Sequence, residues 1–368
     1  MSETALEPEH GDAEDRRGGF VRVPAADAIR GPTRTSWWPR QVLAQGRPRR
    51  NAVALVALMG FLFGVALPVP TVYRNLYRPR LPIHTTPDRF ARGLTYRELE
   101  LRTFDKLTLA GWWMPALGVD TPKATVVLAH GAGGNRQQML GKAAFLVRAG
   151  YACLLFDFRA CGTSQGTMST LGGFEAADLH LATCTAQARV RLRPVVVFGQ
   201  SMGASAALVM APYAPEIAAF VLDSPYATLW EMCREQYRKY PDWLVTPVQH
   251  ACDLWGRLAT GWSMNWVRPQ DSLEGLAPRP VLFIHGEEDT VVPPEHSARM
   301  HRLYSGPKRL LRVPGAVHVR AHDVLGERYE AAVLAFLADA VNDWERRGNE
   351  GLAWTATDRA SSARFAGR

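Results

Sequence analysis

The sequence is poor in cysteine. Cys153, Cys161, Cys184, Cys233 and Cys252 are the only five in 368 residues, and no C-x-x-C occurs. An odd number at wide spacing argues against a disulfide framework and against a zinc site. Cys153, within the apolar run YACLLF, reads as a small packed hydrophobe. A single bridge between Cys233 and Cys252 stays open, so cysteine usage leaves the compartment undecided. Phosphate-binding signatures are also missing. The glycine-rich run HGAGG at 130–134 is not followed by Lys-Ser/Thr, and no G-x-G-x-x-G follows the first strand-like run, which removes the P-loop and dinucleotide readings. The formal net charge is +8, yet no basic stripe or nucleic-acid motif accompanies it. No nucleic-acid partner is therefore expected.

Charge is absent altogether from AVALVALMGFLFGVALPVP, Ala52 to Pro70. About 20 apolar residues span a bilayer core as a helix. Tyr73 and Tyr77 on one side, and Trp37 and Trp38 on the other, suit the two interfaces. A buried core helix would show some polar face. A cleavable signal would not carry some 50 residues ahead of it and would be followed by a small-residue cleavage site. Residues 51–73 are therefore expected to form a single-pass membrane anchor. Residues 1–50, rich in Glu, Arg, Pro and Gly, read as a disordered arm, and 346–368 as a flexible tail. Arg34, Arg40, Arg47, Arg49 and Arg50 precede the apolar run; Arg74, Arg78, Arg80 and Arg89 follow it. That balance barely favours an inside N-terminus and leaves the side of the remaining chain unassigned.

What is present is 47% hydrophobic and 21% charged residues, enough for a sizeable core. Residues 95–345 read as one domain. Tyr96–Thr103 and Leu107–Met114, joined at Asp105-Lys106, predict a β-hairpin. Beyond it, TVVLAH (125–130), YACLLFD (151–157), PVVVFG (194–199), AFVLD (219–223), PVLFIHG (280–286) and RLLRVPG (309–315) are largely apolar rather than alternating. Helical patterns separate several of them: Gln137–Ala149, Gly173–Ala188, Ala204–Met210 and Pro294–Tyr304. Strands apolar on both faces and alternating with helices predict an α/β fold with a mostly parallel sheet. Between Asp223 and Pro280 the rhythm stops. That span holds Trp230, Trp243, Trp255, Trp262 and Trp266, and Leu244–Thr260 reads as an amphipathic helix. It is expected to act as a lid, about residues 226–278, over an apolar pocket.

The chemistry-bearing stretch is VVVFGQSMGASAA, residues 195–207. A serine between two glycines, after a buried strand and before a helix, fits a nucleophile elbow. Serine needs a base, and the base needs an orienting carboxylate. In this arrangement both should follow the serine, acid first. Asp289 in HGEEDTVVP and His318 in VPGAVHV follow strand-like runs and should emerge on the rim that carries Ser201. Asp223, Glu287 and Glu288 are rival acids, and His322, His296 and His301 rival bases; His296 and His301 are expected on a solvent-facing helix. Asp289 could also merely cap the helix near Pro293. The N–H groups of Ala132, in HGAGGNR, and of Met202 are the expected oxyanion donors.

In order along the chain, HGAGG, FDFRACGTSQG, GQSMG, HGEEDTVVP and PGAVH resemble the α/β-hydrolase superfamily. The likeness is greatest to its serine aminopeptidase-like and monoglyceride-lipase-like branch, including forms with an N-terminal membrane helix, and covers roughly residues 95–340. The resemblance implies an eight-stranded, mostly parallel sheet with Ser201 as nucleophile, Asp289 as acid, His318 as base, and Ala132 and Met202 as the oxyanion hole. It implies hydrolysis of an ester or thioester, with the aromatic lid suggesting an apolar acyl group, and needs no metal or organic cofactor. An amidase or peptidase on the same residues is the first alternative, and a non-catalytic binding protein of this fold the second. Two departures stand out. Ala160 occupies the place of a usual glycine in Arg159-Ala160-Cys161-Gly162-Thr163-Ser164, and Lys106 that of the glycine in a usual Asp-Gly turn.

Overall fold

The five central strands are buried along their whole length: β3 (Thr125–Ala129), β4 (Ala152–Phe156), β5 (Val195–Gln200), β6 (Ile217–Asp223) and β7 (Val281–Gly286). A strand with apolar residues on both faces is stable only between two layers. Alternate residues do face different cores. Val127, Leu154, Val197, Leu222 and Phe283 join one apolar cluster, and Val126, Leu155, Val196, Val221 and Ile284 the other. β1 (Arg97–Arg102) and β2 (Thr108–Met114) form the antiparallel hairpin at one edge, and β8 (Lys308–Val313) closes the other. The order is β1-β2-β4-β3-β5-β6-β7-β8, parallel from β4 onward. Lys106 turns the hairpin at φ +67°, a conformation that favours glycine.

The computed structural model describes residues 46–346. Residues 1–45 of the expected arm, with Trp37 and Trp38, and the tail beyond 346 lie outside them. The sheet lies in the compact unit that begins at Leu55. Helices are α1 (Gly46–Phe61), α2 (Pro68–Leu76), α3 (Pro87–Phe90), α4 (Leu140–Arg148), α5 (Phe174–Arg189), α6 (Met202–Met210), α7 (Leu229–Glu235), α8 (Asp242–Thr260), α9 (Glu295–Leu303), α10 (Ala321–Leu325) and α11 (Glu327–Arg346). Residues of α5 and α6 pack on one face of the sheet, and of α4 and α11 on the other. The C-terminal helix α11 lies beyond the strand-and-helix pattern read from sequence.

The apolar helix runs from Arg49 to Leu76, 28 residues with a mean hydropathy of 2.5 in its most apolar window and 6% of that window buried. It is long and apolar enough to cross a bilayer. It widens into one π-helical turn at Leu62–Ala66, where Leu67 N donates to Leu62 O at 3.1 Å. Pro68 follows; lacking an N–H, it cannot continue the ladder, and the register resets there. Past the helix, the backbone is tied to the loops that follow β3 and β4. Ser169 N donates to Leu76 O (2.9 Å), Arg80 to Ser164 O and Gly166 O (2.5 Å each), and Asn135 Nδ2 to Leu81 O (3.0 Å).

Candidate active site

The order in which successive parallel strands are added reverses about β3, whose neighbours are β4 and β5. The crevice beyond such a reversal, at the carboxyl ends of the strands, is where open α/β sheets bind ligands. The loop after β3 carries HGAGG and the turn after β5 carries Ser201.

Two close approaches explain the glycines around that serine. A Cβ on Gly203 would stand 2.4 Å from Ala129 O and 2.7 Å from His130 O, and one on Gly199 2.5 Å from Ala204 Cα. Only glycine lets α6 lie this close to β3. Ser201 itself sits at φ +53°, ψ −115°, a region costly for a side-chain-bearing residue. The strained turn is held by Ser201 N donating to Asp223 O at 2.7 Å and Ser205 N to Ser201 O at 3.0 Å.

The geometry joins the three residues picked from the sequence. Ser201 Oγ lies 2.9 Å from His318 Nε2, and His318 Nδ1 lies 2.6 Å from Asp289 Oδ2. A carboxylate only accepts, so Nδ1 carries a proton and Nε2 is left to accept from the serine hydroxyl. Asp289 is 4% exposed. Burial alone would raise its pKa, but hydrogen bonds from His285 and His318, the charge of His318 and the Val292 N–H hold the carboxyl well below the usual range. Its Oδ1 accepts from Val291 N and Val292 N, both at 2.9 Å. Asp289 thus caps the turn at Val291-Val292 and not the helix near Pro293, as the alternative reading had it, while the other oxygen faces the imidazole. The cap of α9 is Pro294, with no side-chain bond.

The rivals are engaged elsewhere. Asp223 accepts from the hydroxyls of Ser224 and Tyr329, each at 3.1 Å. Glu287 pairs with Arg312 at 3.1 Å, and both glutamates are exposed. His322 meets Glu330 at 3.0 Å. His296 corrects the solvent-facing expectation: it is 3% exposed, its Nδ1 accepts from Ala227 N, and its Nε2 meets Glu235 at 3.2 Å. It faces inward because the insertion after β6 covers that side of α9. The five cysteines are all free, Cys233 and Cys252 included.

Three positioning groups were not singled out from the sequence. His285, fully buried, places Nε2 2.7 Å from Val292 O and 3.3 Å from Asp289 Oδ2. Both are acceptors, so Nε2 is protonated and Nδ1 accepts from the Ser297 hydroxyl at 2.6 Å. Gln200 Nε2 donates to Val319 O at 3.2 Å, tying the turn before Ser201 to the loop of His318. His130, also fully buried, accepts from Phe158 N at Nε2 (3.1 Å) and donates from Nδ1 to Gly131 O (2.7 Å). In a trans peptide C=O and N–H point opposite ways. Clamping Gly131 O therefore aims the Ala132 N–H away from His130. Ala132, Met202, Ser201 and His318 all line one cavity. Burial lowers the His130 pKa, which keeps the ring neutral and able to accept at Nε2. The signal was the first letter of HGAGG.

The loop after β4 is built without the usual glycine. Ala160 takes φ +58° where glycine is usual. Asp157, fully buried, accepts from Arg136 N (2.7 Å), Arg136 Nη1 (2.6 Å) and Thr163 N (2.9 Å). Arg136 and Asp157 thus link the loops after β3 and β4.

The cavity over Ser201 measures about 810 Å³. Its walls include Leu229 and Met232 of α7, Leu244, Val245 and Val248 of α8, and Leu67, Thr71 and Val72 of the apolar helix. Trp255 of α8 donates to Gly64 O at 2.6 Å, locking the two helices together.

Eight strands in this order, wrapped by helices and carrying a serine on a strained strand-to-helix turn, define an α/β hydrolase. The family described as serine aminopeptidase, S33, matches residues 120–273. Rv2307c of Mycobacterium tuberculosis is 30% identical over 293 residues, 78% of this chain and 94% of its own. Bem46 of Schizosaccharomyces pombe is 27% identical over 304 residues, 78% and 90%. Among solved structures, the Pyrococcus furiosus esterase Pf2001 is similar at a TM-score of 0.59 and 26% identity, over 72% of this chain and 98% of that one. The chain belongs to the α/β-hydrolase superfamily, in its serine aminopeptidase-like branch, and is an enzyme of that class.

Proposed function

We propose that the protein is a serine esterase in which Ser201, His318 and Asp289 are the catalytic triad. Ser201 Oγ attacks the ester or thioester carbonyl while His318 Nε2 takes its proton. Asp289 steadies the imidazolium. The N–H groups of Ala132 and Met202 hold the oxyanion. The leaving alcohol or thiol receives the proton from His318, an acyl-enzyme remains, and water attacks it by the same route. The observation that carries this reading is the continuous chain of contacts at 2.9 and 2.6 Å from hydroxyl to imidazole to carboxylate. The apolar walls of the cavity favour an apolar acyl group, and the helices between β6 and β7 act as its lid. The esterase name of the Pyrococcus relative supports an ester over an amide. The aminopeptidase name of the matched family supports the second reading, an amide or peptide bond on the same triad. The apolar helix is read as a single-pass anchor, which protease protection of the C-terminal part in intact cells would test.

A fluorophosphonate probe is expected to label the wild type and not Ser201→Ala. Labelling that survives the substitution would remove the assignment. Parallel assays on p-nitrophenyl acyl esters and aminoacyl anilides separate the two bonds. A protein that resists the probe and turns over neither would be a binding protein of this fold.

A further inference from the structure

The cavity is not uniformly apolar. At its α2 end it is lined by two arginines, Arg74 in the last turn of α2 and Arg78 just beyond the helix. The single carboxylate residue lining it among the described residues is Asp253. That carboxylate is occupied: it accepts from the Ser263 hydroxyl (2.7 Å), Met264 N (2.8 Å) and Asn265 Nδ2 (3.3 Å). Neither arginine has a carboxylate within ion-pair distance among the described residues. Among the described residues Arg78 donates to Asn75 alone, to its carbonyl at 3.3 Å and its side-chain oxygen at 3.1 Å. Those bonds use Nε and Nη2 and leave Nη1 over. Nη1 and Cδ lie 3.5 Å from where a Cβ on Gly133 would stand. Arg78 therefore rests on the glycine-rich loop that carries Ala132. Glu175 attracts it, but that carboxylate already accepts from Ser169, Thr170 and Gly172. Arg78 is half-buried, and burial lowers its pKa. A guanidinium stays charged at neutral pH even so.

A half-buried guanidinium with no ion-pair partner of its own, its nearest carboxylate engaged elsewhere, gains from a negative charge brought to its open side. Here the open space before it is the substrate cavity. We infer that Arg78, assisted by Arg74, selects a substrate that joins a long apolar acyl chain to a leaving alcohol bearing an anion, phosphate or carboxylate. The inference rests on the esterase reading above and names its substrate class. The chain lies along α7, α8 and the apolar helix; the anion meets the guanidinium fork, which matches planar or tetrahedral oxyanions by paired N–H donors. The backbone bonds from residue 76 to 81 fix where the arginine stands relative to Ser201.

The test uses the full chain in neutral detergent. Dodecanoyl esters of glycerol, glycerol 3-phosphate and glyceric acid share one acyl chain and differ in headgroup charge. At least one anionic ester should exceed the neutral one in kcat/KM by about 10-fold or more, as a charge-assisted hydrogen bond allows. The phosphate and carboxylate arms tell which anion it is. Arg78→Gln should collapse that ratio by about 10- to 100-fold, Arg78→Lys should restore part of it, and the remote Arg148→Gln should leave it alone. Binding is read separately by how well dodecyl phosphate, dodecanoate and dodecanol shield Ser201 from the fluorophosphonate. The anions should shield better in wild type and equally with the alcohol in Arg78→Gln. Equal ratios and equal shielding in wild type, with Ser201 labelled and the neutral ester hydrolysed, would overturn the inference and leave the esterase standing. Failure of the probe to label at all would fall on the esterase reading instead. Thermal shifts with dodecyl phosphate against dodecanol would then still decide whether Arg78 recognises an anion.

Discussion

Replacing Asp289 by Asn changes one oxygen for one NH₂, yet it should nearly abolish activity, because the surroundings dictate which way the amide points. Oδ1 is fixed as an acceptor by two backbone donors, Val291 N and Val292 N, at 2.9 Å each. The amide oxygen must take that place. The NH₂ then falls at the Oδ2 position, 2.6 Å from His318 Nδ1 and 3.3 Å from the protonated Nε2 of His285. Two N–H groups cannot face each other, so His318 turns its proton to Nε2. It then has no lone pair for the Ser201 hydroxyl. The imidazolium formed during attack also loses its counter-charge. An ion pair at ~4 Å and an effective dielectric constant of about 20 is worth ~4 kcal/mol, or about three decades of rate. With the reversed tautomer added, kcat/KM should fall by about 10³- to 10⁴-fold, the range such triads show when the acid becomes an amide. The fold should survive, since the two backbone bonds remain. The measurement is kcat/KM for a p-nitrophenyl ester beside a thermal melt and fluorophosphonate labelling rate. A well-folded variant within about 10-fold of wild type would refute the reasoning and reopen Asp223 as the acid.

Gly203→Ala would push a methyl to 2.4 Å from Ala129 O. Overpacking against backbone should cost about 1–3 kcal/mol or more, and the shift of α6 under Ser201 should lower kcat/KM about 100-fold; a variant with unchanged melt and rate would refute the close approach. Stability should also fall on acidification. His130 has its pKa lowered by burial, so below the ordinary histidine pKa of about 6.5 the unfolded chain binds a proton that the folded one refuses, and stability declines by up to ~1.4 kcal/mol per pH unit. Denaturant melts between about pH 7.5 and 5.5 should show this slope, and His130→Asn should flatten it by one proton. Asp289, with its pKa lowered, works in a separate window: its contribution is present above about pH 4 and is lost only as pH falls further.

Much of this was legible because burial on both faces forces a recognisable string. β3 to β7 are buried at every position and apolar at nearly all of them, the exceptions being Thr125 and the strand-end residues Gln200, Asp223 and His285, and a short run of that kind flanked by turns is stable as a strand between two layers. GQSMG was legible for a related reason: two backbones approach where glycine alone fits, so the packing is written into the composition. Other features left weaker marks. His285 and His130 are single letters whose roles depend on which acceptors surround them, and those acceptors come from other loops. His296 was assigned to solvent because an amphipathic pattern on α9 cannot reveal that a separate insertion covers one of its faces.

The apolar helix shows the same limit from the other side. Its length and lack of charge speak of a bilayer, and by that logic its residues need no partner within the protein. Yet Leu67, Thr71 and Val72 wall the cavity over Ser201, and Gly64 O receives the Trp255 indole. Hydropathy averages over a window and carries no information on what one face touches. The clue lay in the residues that break the run: Pro68 interrupts the ladder, a π-helical turn precedes it, and two arginines follow within ten residues. Such features cost energy in a plain membrane span. Here they bring the lower end of the helix against α8 and set Arg78 beside the glycine-rich loop. An apolar substrate lying along this helix would reach the serine without crossing water, and its polar end would arrive where the arginines stand.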